Sequence, residues 1–187
     1  MSRTSFPVLS RIVWAALVAA LTFTCTGGSL KADDAKGIAK HPFVKLLIGE
    51  WEATGELKGQ DGNVITVKEE WTARVDSENT FTIEGKRELN ADKSDYKWTV
   101  TFHPDTGVYE AMHVINSGEA QRFEGSFTEG SLSVEWTAQM DGGASIKLLD
   151  AFTGEERDTF DTDLTMTNGK GETTLSGKIV NKRVKKA

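Results

Sequence analysis

The stretch Tyr96-Lys97-Trp98-Thr99-Val100-Thr101-Phe102-His103-Pro104-Asp105-Thr106-Gly107-Val108-Tyr109-Glu110-Ala111-Met112-His113-Val114-Ile115-Asn116-Ser117-Gly118-Glu119-Ala120-Gln121-Arg122-Phe123 decides the fold. Three runs alternate large and apolar with polar residues at a period of two, and Pro, Asp, Asn and Gly punctuate them, which is the signature of strands joined by tight turns. Each turn also fixes which residues stand opposite one another, and opposed residues share a face of the sheet. A four-residue loop at Pro104–Gly107 sets His103 against Val108 and Trp98 against His113. A three-residue loop at Asn116-Ser117-Gly118, with Gly118 left-handed, sets His113 against Gln121, Ala111 against Phe123 and Tyr109 against Gly125.

The same pattern extends in both directions. Segments near 50–57, 63–75, 79–89, 95–103, 108–115, 119–128, 131–140, 144–149, 157–167 and 171–183 read as about ten strands with short connections. No connection is long enough for a crossover, so sequence neighbours should pair as an antiparallel meander. Glu129-Gly130 as a two-residue loop pairs Phe127 with Leu132 and Phe123 with Trp136. Asp141-Gly142-Gly143 pairs Met140 with Ala144 and Trp136 with Leu148. Asn168-Gly169 pairs Met166 with Gly171 and Phe160 with Gly177. With an even number of strands the first and last run antiparallel and can close the sheet, which removes exposed edges. The expected fold is all-β: a single up-and-down barrel, with a short helical turn at His41-Pro42-Phe43-Val44-Lys45-Leu46-Leu47-Ile48 plugging one end.

The chain has 187 residues, a net charge of -6 and a single cysteine. That length suits one domain beside a targeting segment. The acidic excess argues against nucleic acid, and the basic stretch Lys182, Arg183, Lys185, Lys186 reads as a solvated tail. Residues 1–32 have the form of an export signal: Arg3 and Arg11 precede the apolar run Ile12–Leu21, and small residues follow at Gly27, Ser29 and Ala32. The run is shorter than the roughly 20 residues that a membrane-spanning helix requires. The barrel domain is therefore expected over residues 38–187, exported to the periplasm or outside the cell. Lipid anchoring through Cys25 is the weaker reading, because a lipid signal places Leu three residues before the cysteine and a small residue directly before it. If Cys25 leaves with the signal, neither a disulfide nor a thiolate metal site remains.

Gly49-Glu50-Trp51, after a short apolar turn and at the start of the first strand, resembles the calycins, the group of lipocalins and fatty-acid-binding proteins. The resemblance implies a barrel in which the Trp is covered by a basic residue of the last strand, and Arg183 has the parity for that role opposite Trp51. The stretches Trp51–Glu56 and Phe102–Tyr109 resemble more closely a bacterial lipocalin-like family, domain of unknown function 1579, over about residues 43–183. Haem barrels of the nitrobindin type begin similarly but take their proximal histidine from a late strand. His41, His103 and His113 are the only histidines here, so no haem is expected, and no other cofactor or metal is implied.

Functional interest falls on polar residues of the inner face, since a charge inside an apolar barrel needs a partner or a ligand. Glu69 and Arg87 stand opposite one another if the hairpin centres near Glu78, next to Trp71 and Gly85. They read either as a self-satisfied structural pair or as an arginine that reaches toward the mouth for a carboxylate or phosphate. His113 and Gln121, flanked by Trp98 and Tyr96, could complete a polar head-group site near the 116–118 rim. The ligand-binding candidates are thus Arg87, His113, Gln121, Glu69, Trp98, Tyr96 and Trp71. The leading reading is a carrier or sensor of a small amphipathic or apolar molecule. A hydrolase or isomerase using His113 with Glu69 or Arg87 is the alternative from chemistry. A filled structural barrel, contacting a partner through outward-pointing Met112 and Val114, is the other.

Overall fold

A computed structural model describes residues 37–128, 130–153 and 157–185. The export signal expected at residues 1–32, and Cys25 within it, lie outside the described residues. A 3-10 turn (Ile38–Lys40) and one helix, α1 (Pro42–Leu47), lead into ten strands: β1 (Gly49–Gly59), β2 (Val64–Val75), β3 (Thr80–Leu89), β4 (Asp92–His103), β5 (Val108–Ile115), β6 (Ala120–Thr128), β7 (Ser133–Gln139), β8 (Ser145–Thr153), β9 (Thr159–Thr167) and β10 (Thr173–Arg183). Each strand pairs antiparallel with its sequence neighbour, and β1 pairs with β10, so the sheet is a closed barrel. Among the described residues no helix is long and apolar enough to cross a membrane.

The turns set most of the register foreseen from the sequence. His103 faces Val108, Trp98 faces His113, and His113 in turn faces Gln121. Glu69 faces Arg87 and Trp71 faces Gly85. The 116–118 turn differs in its detail: Asn116 and Ser117 are the left-handed residues (φ 48° and 58°), not Gly118. The Gly118 amide donates to the Ile115 carbonyl, closing a primed turn at Asn116-Ser117, while the strand pairing stays centred on Ser117 as in an odd-length loop.

Two turns are longer than expected and move their strands. Leu132 is not an inner strand residue; it is left-handed (φ 49°) in the turn before β7. Phe127 therefore faces Val134, and Trp136 faces Gly125 rather than Phe123. At Asn168 the side chain, not a two-residue turn, organises the corner: its Oδ1 accepts from the Lys170 and Glu172 amides, and Gly171 takes the positive φ of 80°. A bulge between Thr173 and Leu175 follows, and Phe160 faces Asn181 while Gly177 faces Leu164. Both shifts are by an even number of residues, so every side chain keeps its face.

The helix end of the barrel is an aromatic floor. Phe43, Val44 and Leu47 of α1 are buried. Trp51 and Trp71 stack with centroids 5.3 Å apart, and Phe160 packs edge-on to both. Phe43 touches Phe152 and Phe127, and His41 lies against Phe127 and Tyr109 with its Nδ1 2.6 Å from the Tyr109 hydroxyl. At the seam, Arg183 stacks over the Trp51 ring at 4.3 Å and donates to the carbonyls of Ile48 (2.7 Å) and Leu46. Trp51 Nε1 donates to the Leu47 carbonyl at 2.8 Å. The last carbonyls of α1 are thereby satisfied by the strands that it caps.

The opposite end has a different lining. Leu57, Val67 and Ile179 are buried and form a cluster with Ala53. Around them Ile65, Leu89, Leu164 and Leu175 remain half-buried although they point inward. Solvent thus reaches apolar side chains inside this end of the barrel, and they form a partial collar on β1, β2, β3, β9 and β10 between the rim and the middle.

Candidate functional site

Below that collar the inner wall turns polar. On β2, β3 and β4, Glu69 Oε1 accepts from Arg87 Nε at 2.5 Å, and Glu69 Oε2 accepts from the Tyr96 hydroxyl at 2.9 Å. Arg87 lies over the Tyr96 ring, 4.8 Å from its centroid. The Glu69 side chain is 8 % exposed and that of Arg87 21 %, so the arginine keeps a solvated edge. Tyr96 is pushed up, by burial first and by the neighbouring Glu69 charge second, and stays a neutral donor.

His113 on β5 continues this wall. Its ring stacks on Trp98 at 4.4 Å and meets Tyr96 edge-on at 5.9 Å. It is 9 % exposed, and its Nε2 is buried without a hydrogen-bond partner. Burial, assisted by the Arg87 charge, lowers its pKa to about 3, so the imidazole is neutral and an open hydrogen-bonding atom points into the barrel. Gln121, directly opposite, does not reach it; the amide donates to the Arg122 and Gln139 carbonyls at the rim.

The far wall carries a polar chain that the sequence reading did not assign. Trp71 Nε1 donates to Asn181 Oδ1 (3.3 Å), and Asn181 Nδ2 donates to Thr162 Oγ1 (3.2 Å). Thr162 donates to Asp150 Oδ1 (2.5 Å), and Trp136 Nε1 donates to Asp150 Oδ2 (2.8 Å). Strands β2, β10, β9, β8 and β7 are linked in this way around the barrel. Asp150 escaped notice because β8 was expected to end at residue 149, whereas it runs to Thr153. The alternation Ile146, Leu148, Asp150, Phe152 was the signal that places it inside. Burial raises the Asp150 pKa to about 6 against the opposing Thr162 and Trp136 bonds, and the Glu69 charge raises it further. Glu69 and Asp150 therefore act on each other electrostatically.

The inner face thus holds Glu69, Arg87, Tyr96, His113 and Asp150 among the rings of Trp71, Trp98 and Trp136, beneath an apolar collar. Among the described residues no group of three or more His, Cys, Asp or Glu is placed to hold a metal. On the outer face Met112 is 37 % exposed, and Val114 borders a groove of about 820 Å³ that runs over Glu50, Glu70, Glu84 and Lys97.

No family model matches the sequence, and no curated protein matches it. Solved structures do resemble the fold. The S-type phycobiliprotein lyase CPES from Guillardia theta superposes with a TM-score of 0.60 at 9% identity, covering 78% of this chain and 92% of that one. Rv2717c from M. tuberculosis superposes with a TM-score of 0.57 at 15% identity, covering 77% and 98%. At these identities the likeness establishes a shared barrel architecture.

Proposed function

We propose that the protein is a non-enzymatic carrier or sensor that holds a small, partly apolar molecule inside the barrel, its tail against the collar and its polar end toward Arg87 and His113. The observation that carries this reading is the partnerless Nε2 of His113 beneath inward-facing aliphatic side chains that solvent still reaches. Leaving a buried polar atom unpaired costs about 1–3 kcal/mol, a cost that a bound polar group would remove. Gln121 would contact the ligand at the rim, and Trp71, Trp98 and Tyr96 would form its walls.

The enzymatic alternative finds less support. Among the described residues no carboxylate accepts a hydrogen bond from His113 to orient it, and an imidazole held neutral down to about pH 3 is a weak base. Met112 and Val114 remain a secondary contact in this proposal, beside the outer groove. Export through the signal at residues 1–32, the barrel domain over 38–187, and the closer affinity to domain of unknown function 1579 rest on the sequence stretches quoted above.

Native mass spectrometry of the protein purified from its own host tests the carrier reading. A mass above that of the chain, lost on denaturation, is the expected result. A bare chain whose tryptophan fluorescence also ignores added amphiphiles would remove the reading.

A further inference from the structure

The charges inside the barrel do not balance, and the imbalance identifies the kind of head group that fits. Among the described residues above the Arg183–Trp51 seam, Arg87 is the cation of the inner wall, and it is already committed to Glu69 through Nε and to the face of Tyr96. That pair cancels. Asp150 is left over, a carboxylate with two neutral donors, Thr162 and Trp136, and no cation. Across the barrel Glu69 on β2 and Tyr96 on β4 interact with it electrostatically, Arg87 on β3 lies beyond them against Glu69, Thr162 on β9 and Trp136 on β7 donate to it, and Gln121 on β6 is turned to the rim.

We propose that the ligand carries a protonated amine, received by Asp150 with His113 Nε2 as a further hydrogen-bonding atom, on an apolar tail seated in the collar. The inference rests on the carrier reading above and gives the head group a charge. A carboxylate head would add a second unbalanced negative charge to that of Asp150, and burying unbalanced charge is costly. An ammonium instead completes the balance. Its N–H groups find acceptors in the Asp150 carboxylate and, in the Nδ1–H tautomer, in the otherwise partnerless His113 Nε2.

The test is calorimetric titration of the full chain with n-octylamine and, in parallel, with octanoate, which share a tail and differ in the sign of the head. Octylamine is expected to bind more tightly at about pH 7.5 and to weaken roughly tenfold by about pH 5, as Asp150 takes up a proton. Asp150→Asn is expected to weaken octylamine at least about tenfold and to abolish that pH dependence. The pH dependence of the unaltered chain stands as evidence even if the variant folds poorly. Octanoate binding more tightly than octylamine, or octylamine affinity indifferent to pH across this range, overturns the amine assignment and leaves the carrier reading intact. Failure of both probes to bind removes both.

Discussion

Arg183 and Trp51 are cross-strand partners on the seam that closes the barrel, the guanidinium 4.3 Å above the indole. The same guanidinium donates to the carbonyls of Ile48 and Leu46, so one side chain ties the last strand to the first and to the helix that plugs the floor. Arg183→Ala removes a partly desolvated cation–π contact worth about 1–2 kcal/mol and leaves two carbonyls without their donor. A loss of about 2–4 kcal/mol in urea unfolding is expected. Arg183→Lys keeps the charge but not the forked donor geometry, and should restore only part of it.

Glu69 and Arg87 form the mostly buried ion pair of the inner wall. Breaking such a pair from one side strands the other charge, so Arg87→Met is expected to cost about 3–5 kcal/mol. Adding Glu69→Gln to it should recover much of that loss, because the stranded carboxylate is then gone. A double-mutant cycle by denaturant unfolding measures the difference. Equal, additive losses for the two changes would show that the pair is not coupled.

His113 and Asp150 give opposite pH signatures. The folded-state pKa of His113 is lowered to about 3 from an ordinary 6.5. Its contribution is therefore complete above pH 6.5 and is lost as the pH falls, because the unfolded chain then binds the proton first. Asp150 is raised to about 6 from 3.8, so between those values the folded state binds the extra proton and gains stability as the pH falls. Relative to Asp150→Asn, the unaltered protein should become more stable between about pH 7 and pH 4. Relative to His113→Leu, it should become less stable from about pH 6.5 downward, by up to about 1.4 kcal/mol per pH unit. Unfolding curves across this range check both signs.

Gly85 sits opposite Trp71 on the inner face. A Cβ there would meet Trp71 Cβ at 2.6 Å, the Glu70 carbonyl at 2.8 Å and the Tyr96 ring at 2.8 Å. Gly85→Ala should destabilise by about 1–3 kcal/mol through overpacking. It should also displace Tyr96 from Glu69, which is visible as a change in near-ultraviolet circular dichroism.

How far the sequence reached is seen by comparing His113 with Asp150. The turns at Pro104 and Asn116 are short and chemically distinctive, so the neighbours of His113 could be read pair by pair. The corners before β7 and β10 contain residues that permit either a tight or a wider turn, and Leu132 and Asn168 chose the wider. Inside and outside survived that error because the sheet repeats every two residues. Cross-strand partners did not: a register off by four sets Asn181 away from Phe160 and Thr162, and the hydrogen-bonded chain through Asp150 cannot be seen. Polar side chains pair only when the register is right to the residue, whereas apolar ones need only the right face.

The aromatic floor makes the barrel a cul-de-sac. With α1 seated against Trp51 and Phe152, a guest admitted past Leu57 and Ile179 would have to depart by retracing its route. On the carrier reading, residence time would be set by how readily those aliphatic side chains part, and selection among guests would fall on tail length, since a chain too long for the depth above Trp71 would protrude into water.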